Sequence, residues 1–403
     1  MTANYVPLKY LAHLNPETLA DSTDLAFSFG YIDIGSLGRG RLRAAPELMS
    51  FGDAPSRARR VLREGDSILS TVRTYLRSAW TVPSGTGQLV ASTGFVCLRP
   101  RVGVDSRYLG WLVQSDAVIE TVVARSVGVS YPAISLDEVG RIEVPCPAEP
   151  RQREVADFLD LETSRIDALI ATMQQMVKLL EERQSSWLHS VVKSSSKLKM
   201  PGMVPLKAVA QWVEGPGISA VDFRDEGVPL LRIRNLVEDT VDLTGCGFVP
   251  ESLANERWNH LRVRAGELLV SGSARSGTPV VVPPEAAGAV PYTGLLRIWP
   301  VSSRLERAYL RLFLSSPAFE VQIDRLKTGV GLQHWGPSHL SQIQIPLPSV
   351  DEQIGLAADF ASEEQRHGAM SRLLKSQIGL FEERRKALVT LAVTGQLDIP
   401  EAA

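Results

Sequence analysis

The segment Arg151 to Lys193 constrains the chain more than any other, because it is the longest stretch whose pattern fits only a helix. No glycine or proline interrupts it. Ile166, Ile170, Met173, Val177, Leu180, Trp187 and Val191 recur at steps of three or four, with Gln184 filling the one gap in the register. That spacing makes a coiled-coil seam. Most charged residues lie off the seam, Glu154, Asp157, Asp160 and Glu162 early and Lys178, Arg183 and Lys193 late, as the helix dipole favours. Pro145, Pro147 and Pro150 fence the start, and Ser194, Ser195 and Ser196 follow the end.

A seam needs a partner, and the chain contains one 201 residues further on. Leu179, Glu181, Glu182 and Arg183 reappear as Leu380, Glu382, Glu383 and Arg384. Ile170, Met173, Val177 and Leu180 map onto Ser371, Leu374, Ile378 and Phe381, and Leu388 continues that second seam, which His367, Ser371 and Arg385 make more polar than the first. Upstream, Ile142, Val144, Pro145, Pro147 and Gln152 return as Ile343, Ile345, Pro346, Pro348 and Gln353. Val6-Pro7-Leu8-Lys9 returns as Val204-Pro205-Leu206-Lys207, Gly65 opens a turn like Gly266, and Thr93-Gly94 matches Thr293-Gly294. The chain is a duplication, globule then helix, twice over.

The order of the pieces predicts the geometry. A short linker, about Ser194 to Gly202, keeps the second globule near the far end of the first helix, so a second helix that pairs with the first runs back along it. The expected fold class is α+β, two mixed α/β domains separated by two long antiparallel helices in a coiled coil, a pseudo-two-fold internal repeat. The expected boundaries are 1–148 for the first mixed domain, 149–196 for the first helical region, 197–348 for the second mixed domain and 349–403 for the second helical region.

Within the first globule, Tyr31 to Ile34, Ser67 to Val72, Ala79 to Val82, Gln88 to Val90 and Phe95 to Leu98 pattern as strands between Gly, Pro and Ser turns. Ser106 to Ala124 has helical spacing, Gly128 to Pro132 is a loop, and Leu136 to Val144 closes the unit. The second globule follows the same plan, with strands at Val228 to Ile233, Glu267 to Ser271, Val280 to Val282 and Leu295 to Trp299. Its helix is Arg307 to Lys327 and its loop Gly329 to Gly336. Framework positions match while the polar residues between them mostly differ, the pattern expected of two readers on one scaffold and equally of drift after an old duplication.

A 44% apolar content over 403 residues allows two or three domains with cores, and 22% charged residues argue against disorder. No apolar run approaches the roughly 20 residues that span a bilayer, and the start MTANYVPLKYLAHL is too polar for a signal peptide, so a cytoplasmic location is expected with no membrane partner. Cys97, Cys146 and Cys246 stand alone, giving neither a disulfide framework nor a zinc site. The net charge of −2 does not announce a polyanionic partner, but from Arg39 to Glu64 seven arginines face only three acids, and Arg73 and Arg77 follow. Such a run is often a solvated face, yet arginine suits bidentate contact with guanine edges and phosphates.

The search for catalytic motifs is negative. No GxxxxGK[ST], HExxH, GxSxG or GxGxxG occurs, Gly35-Ser36-Leu37-Gly38-Arg39-Gly40 having the wrong spacing for the last. The Asn-Pro-Pro-aromatic tetrapeptide of amino-methyltransferases is missing, Asn15-Pro16 being followed by Glu17. His334 and His339 have no cysteine or carboxylate at metal-ligand spacing, so no metal site is expected. Glu181-Glu182-Arg183 and Glu382-Glu383-Arg384 pattern as charges on an exposed helical face.

FLDLETSRIDALI (Phe158 to Ile170), LLEERQ (Leu179 to Gln184) and AVTGQLD (Ala392 to Asp398) resemble the helical regions of type I restriction-modification specificity subunits. GDSILSTVRTYLRSAW, ASTGFVCLRP, GVSYPAISLDEV and IEVPCP resemble that family's target-recognition domains, and GVPLLRIRNL, AGELLVSGSARSG and VDEQIGLAADF play the same parts in the second half. The resemblance spans nearly the whole chain. The family's usual Glu-Gln before the helix stands here as Arg151-Gln152 in the first copy and Glu352-Gln353 in the second.

The resemblance implies a sequence-specific DNA-binding subunit without catalytic activity, each recognition domain reading half of a split, asymmetric site in double-stranded DNA. The helix pair would act as ruler: about 28 paired residues rise roughly 40 Å, near the 34–36 Å of one DNA turn. Two methyltransferase subunits would dock and modify an adenine in each half-site. The chain itself would hold no cofactor; S-adenosylmethionine would sit in the methyltransferases, and ATP and Mg in a translocating nuclease subunit that joins for restriction.

Base readout on this reading falls to polar side chains on loops facing the major groove. The candidates are Arg39, Arg41, Arg43, Arg73, Tyr75, Arg77, Ser130 and Tyr131 in the first domain, and Arg232, Arg234, Asn235, Ser273, Arg275, Gln333 and His334 in the second. Two other readings compete. One is a coiled-coil scaffold whose globules bind protein or glycan, which salt-insensitive binding would favour. The other is a self-sufficient methyltransferase or nuclease, which needs a cofactor pocket and a catalytic tetrapeptide.

Overall fold

The structure, a computed structural model, describes residues 4–195, 202–237, 240–272, 279–326 and 335–399. The chain divides into two compact units, Met1–Gln174 with Leu374–Ala403, and Gln175–Leu373. Each long helix therefore contributes to both units.

In the first unit, Phe95–Pro100 is the inner strand of a four-stranded antiparallel sheet, between Ala12–Leu14 and Ser67–Ser70, with Ala79–Thr81 on the outer side of Ser67–Ser70. A second sheet runs Glu47–Ser50, Ser28–Ile32, Leu89–Ser92, Ala58–Leu62, with the middle two strands parallel. Strand Ser28–Ile32 stops earlier than its apolar run because Asp33 and Ser36 lock a turn, Asp33 Oδ1 accepting from the Ser36 amide at 2.8 Å and Ser36 Oγ from the Asp33 amide at 3.1 Å. The strand Ala58–Leu62 lies inside the arginine run. Arg59 reaches Asp21 at 3.1 Å and Arg63 reaches Glu17 at 2.8 Å, so two of the run's seven arginines are held here by acids distant in sequence.

The second unit repeats the first sheet as Ala210–Glu214, Leu295–Pro300, Leu268–Ser271 and Val280–Val281, and the second as Gly247–Val249, Val228–Leu231 and Val290–Pro291, the last two parallel. The repeat extends to single bonds. Tyr108 Oη donates to the Pro145 carbonyl at 2.9 Å and Tyr309 Oη to that of Pro346 at 2.8 Å. Buried Asp66 pairs with Arg99 at 2.8 Å, and Glu267 with Arg297 at 3.1 Å. Gly65 and Gly266 share a φ of +79°, where a side chain is disfavoured.

Two expectations need correction. Ser106 to Ala124 is two helices, Ser106–Gln114 and Asp116–Ala124, because Ser115 is extended (ψ 152°) and its Oγ caps the second helix at Val118 N. Arg307 to Lys327 likewise splits into Arg307–Leu314 and Pro317–Leu326, since Pro317 has no amide to continue the first helix. Lys327 itself lies outside the described residues.

The long helices are Glu149–Ser195 and Val350–Val393. Within the first unit they run antiparallel: Arg385 Nε donates to Asp167 Oδ1 at 2.9 Å, and Arg151 reaches the Ile399 carbonyl at 3.2 Å. Within the second unit the Trp187 ring stacks on Phe360 at 6.5 Å, and Arg183 lies 3.9 Å from Glu363, again antiparallel. The seam residues are the shielded ones. Ile166, Ile170 and Leu374 are buried, and Met173, Val177, Leu180, Trp187, Ile378, Phe381 and Leu388 are half-buried, while Leu179 and Leu380 beside them are exposed. Each mixed domain is closed by its own helix's start and the other helix's end. Val155, Leu159, Val389 and Val393 join the first core, and Phe360 and Leu188 the second.

Gln152 and Gln353 tie the helix starts to the domains. Gln152 accepts from Asp105 N (2.9 Å) and donates to the Pro147 carbonyl (2.8 Å); Gln353 accepts from Glu306 N (2.8 Å) and donates to the carbonyls of Arg304 (2.7 Å) and Pro348 (2.9 Å). No helix among the described residues is long and apolar enough to cross a membrane.

Candidate nucleic-acid interface

In the first unit the fold joins two stretches that are far apart in sequence. The short 3-10 turn Thr74–Leu76 is flanked by Arg73 (φ +51°) and Arg77 (φ +54°), both left-handed, a conformation that costs non-glycine residues on the order of 1 kcal/mol each. The turn is held against loop 127–133. Arg73 N donates to the Pro132 carbonyl at 2.8 Å, Thr74 Oγ1 to Ser126 Oγ at 2.8 Å, and Val127 and Ala133 bridge at the loop's base.

The result gathers Arg73, Tyr75, Arg77, Ser130 and Tyr131 on exposed surface. The Arg73 guanidinium lies 5.0 Å from the centre of the Tyr131 ring. Tyr131 is itself 67% exposed. Arg77 pairs with Glu120 at 2.8 Å. An arginine laid on an aromatic face keeps its edge donors available for a planar, bidentate acceptor.

Arg39, Arg41 and Arg43 occupy a different loop and have different surroundings. Arg39 is mostly buried, donating to the Gln114 carbonyl at 2.7 Å and to Asp116 at 2.6 Å, so two of its nitrogens serve the scaffold. Arg41 and Arg43 are exposed.

In the second unit, Arg232 sits between the rings of Phe223 (4.7 Å) and Tyr292 (5.8 Å). Its Nε is buried with no partner among the described residues. Asn235 is 2% exposed and spends its amide internally, accepting from Arg232 N and donating to the Asp242 carbonyl, each at 2.9 Å. In this structure it fixes the Ile233–Asn235 turn that carries Arg232 and Arg234, and Arg234 Nη2 donates to the Gly245 carbonyl at 2.7 Å.

Ser273, Arg275, Gln333 and His334 lie outside the described residues. The residues bordering them repeat the first unit's framework. Gly272 N donates to the Gly294 carbonyl (2.8 Å) and Trp335 N to that of Gly272 (3.0 Å), as Thr71 N does to Gly94 (2.9 Å) and Ile134 N to Thr71 (2.9 Å).

Strong electrostatic coupling belongs to the scaffold beneath. The Asp66 carboxylate raises Arg99, and Arg63 with Arg99 holds Glu17 below its ordinary range. Burial, with Asp66 adjacent, pushes the Cys97 thiol far up, so it packs as an inert side chain. Among the described residues no three His, Cys, Asp or Glu side chains converge as a metal site would require.

Gln114, Asp167 and Lys386, which carry no signal in the sequence, share a groove with loop 38–43, Glu382 and Arg385. The sequence marks Glu382 only as an exposed helical charge and Arg385 only as a polar break in the second seam.

A duplicated mixed α/β protein with exposed arginine and aromatic loops on a paired-helix frame is the class these features define. No protein-family model matches the chain. It is 22% identical over 296 residues to the type I restriction enzyme MjaVIII specificity subunit of Methanocaldococcus jannaschii, a match covering 68% of this chain and 67% of that protein. It is 24% identical over 179 residues to the StySPI specificity subunit of Salmonella potsdam, covering 43% of this chain and 38% of that protein. A solved structure concerned with complex assembly and conformational transition of the type I R-M system superposes with a TM-score of 0.76 at 24% identity, covering 98% of each chain. The chain thus has the fold found in a type I restriction-modification system, and its curated relatives are type I specificity subunits.

Proposed function

We propose that this chain is a DNA-reading specificity subunit with no catalytic activity, each mixed domain recognising one half of a bipartite, asymmetric site. The observation that carries this reading is the arginine turn Arg73 to Arg77 locked against loop 127–133, with Arg73 stacked on Tyr131. The turn's backbone and Thr74 anchor it to the domain while Arg73 and Tyr75 stay exposed, an arrangement that suits base edges in a major groove. In the second domain, Arg232 between two rings supports the same role. The similarity to specificity subunits supports it independently.

On this reading two methyltransferase subunits, carrying S-adenosylmethionine, dock on the chain and methylate an adenine in each half-site, and an ATP- and Mg-dependent nuclease subunit joins for restriction. Methylation requires the target base to leave the stack, so the reader holds flanking bases and leaves the target accessible. The test is co-expression with the cognate methyltransferase subunit followed by mapping of methylated adenines. A two-part motif with a fixed gap is expected. A single continuous motif, or methylation unchanged when this chain is omitted, would overturn the reading.

A further inference from the structure

In the first unit a groove of about 550 Å³ opens between loop 38–43 and the two long helices. Its chemistry is cationic. Arg39, Arg41, Arg43, Arg385 and Lys386 line it against two acids, Asp167 and Glu382, in a chain whose formal net charge is −2. Arg385 is neutralised by Asp167 at 2.9 Å and Arg39 by Asp116 at 2.6 Å. Arg41, Arg43 and Lys386 are exposed and make no ion pair among the described residues. These three cations reach one concavity from two elements, the loop and the second long helix, against Glu382, the single acid of the groove without an ion pair among the described residues, and a concave wall with Ile170 and Val389 in it concentrates their field.

The groove also holds unsatisfied buried polar atoms. Gln114 is 8% exposed and lines the groove, and its Oε1 has no partner among the described residues; the same is true of Arg39 Nη2. Leaving such groups dry and unpaired is unfavourable, which marks the place as one where a polar ligand or its water completes the structure. Gly40 (φ +76°) leaves that floor open, since a Cβ there would overlap Gln114 Oε1.

The groove is built onto the arginine turn. Gly40 N donates to the Ala79 carbonyl at 2.7 Å, Ala79 N to that of Gly38 at 3.2 Å, and Ser78 Oγ to that of Leu37 at 3.0 Å, so the groove wall is bonded to the residues that directly follow Arg77. The groove therefore adjoins the turn proposed to meet base edges.

We infer that the groove binds the phosphodiester backbone of DNA, with Arg41, Arg43 and Lys386 as phosphate contacts. Arg41 and Arg43 then position the duplex instead of reading its bases, and the second long helix contributes to DNA affinity in the first unit. This rests on the DNA-reading function proposed above.

The test uses the full-length chain and two fluorescent duplexes, one carrying the methylation-mapped site and one of scrambled sequence, titrated across a salt series. Each lost phosphate contact lowers the magnitude of the log Kobs against log[salt] slope by about 0.9. The triple variant Arg41→Gln, Arg43→Gln, Lys386→Gln is expected to lower it by about 2 to 3 and to weaken both duplexes by the same factor. Asp167→Asn, which frees Arg385, is expected to steepen the slope, an opposite sign that misfolding does not produce.

Wild-type slopes in both variants would overturn the assignment, as would a loss confined to the specific duplex. Wild-type slopes together with loss of the co-expressed methyltransferase would assign the groove to an acidic protein surface instead. Failure of the unsubstituted chain to bind either duplex would overturn the DNA-reading function itself, and this inference with it.

Discussion

The guanidinium of Arg73 lies 5.0 Å from the centre of the Tyr131 ring, and the backbone beneath them is joined by the Arg73 N to Pro132 O bond of 2.8 Å. Replacing Arg73 and Arg77 by alanine is therefore expected to relax one half of the methylated motif and leave the other unchanged. A bidentate arginine contact is worth about 1–3 kcal/mol of discrimination, roughly 5- to 150-fold. Tyr131→Phe keeps the ring and is expected to retain specificity, whereas Tyr131→Ala frees the guanidinium and is expected to lose part of it. Sequencing the methylated sites of each variant decides this, and equal relaxation of both halves would exclude the assignment.

Gln152 and Gln353 are 1% and 0% exposed, and each joins the start of a long helix to its mixed domain through both ends of one amide. Alanine at either position leaves a buried amide N–H and at least one carbonyl unpaired, at about 1–3 kcal/mol for each group. Gln152→Ala and Gln353→Ala are expected to destabilise by several kcal/mol, read as a fall in denaturant midpoint. A change under about 0.5 kcal/mol in either would mean that water replaces the lost bonds.

The long helices and the duplication were legible because a 3.5-residue period and a 201-residue offset are local or self-referential signals, independent of how the chain folds back. The strand Ala58–Leu62 was hidden because the adjacent Arg59 and Arg60 break its apolar alternation, and their partners, Asp21 and Thr18, are about 40 residues upstream. The break at Ser115 was missed because apolar spacing continues across it, while the event that ends the helix is one side-chain cap. For the interface, composition drew attention to the arginines but did not separate Arg39, held by Asp116, from Arg41 and Arg43, which are free of ion pairs among the described residues. Lys386 and Gln114 gave no signal, since their role depends on a groove that exists only once three distant segments meet.

Glu17 bridges Arg63 at 2.8 Å and Arg99 at 3.2 Å, and these partners, Arg63 foremost, hold its carboxyl below its ordinary value of 4.5. A carboxylate whose folded value is depressed contributes stability that is present above the unfolded value and lost as pH falls through the folded one. The melting temperature of the wild-type chain is therefore expected to exceed that of Glu17→Gln at pH 7, with the difference shrinking below pH 4.5. Paired melts from pH 7 to pH 3 test this. A difference that stays constant, or grows in acid, would show that the bridge does not carry the linkage.

Gly40 and Gly85 share a φ of +76°, but their surroundings differ: a Cβ at Gly40 would overlap Gln114 Oε1, while one at Gly85 meets nothing within 4 Å. Alanine at Gly85 carries only the backbone penalty of a left-handed conformation, about 1 kcal/mol. Alanine at Gly40 adds a clash with a buried amide that is itself bonded to the Gly110 carbonyl at 2.9 Å, so the side chain cannot swing away without breaking that bond. Gly40→Ala is expected to be more destabilising than Gly85→Ala by about 1–3 kcal/mol, and to weaken DNA binding at temperatures where the chain remains folded. Equal denaturation midpoints for the two variants would mean that the loop 38–43 yields at no cost, and that the close approach of Gly40 to Gln114 does not shape the groove.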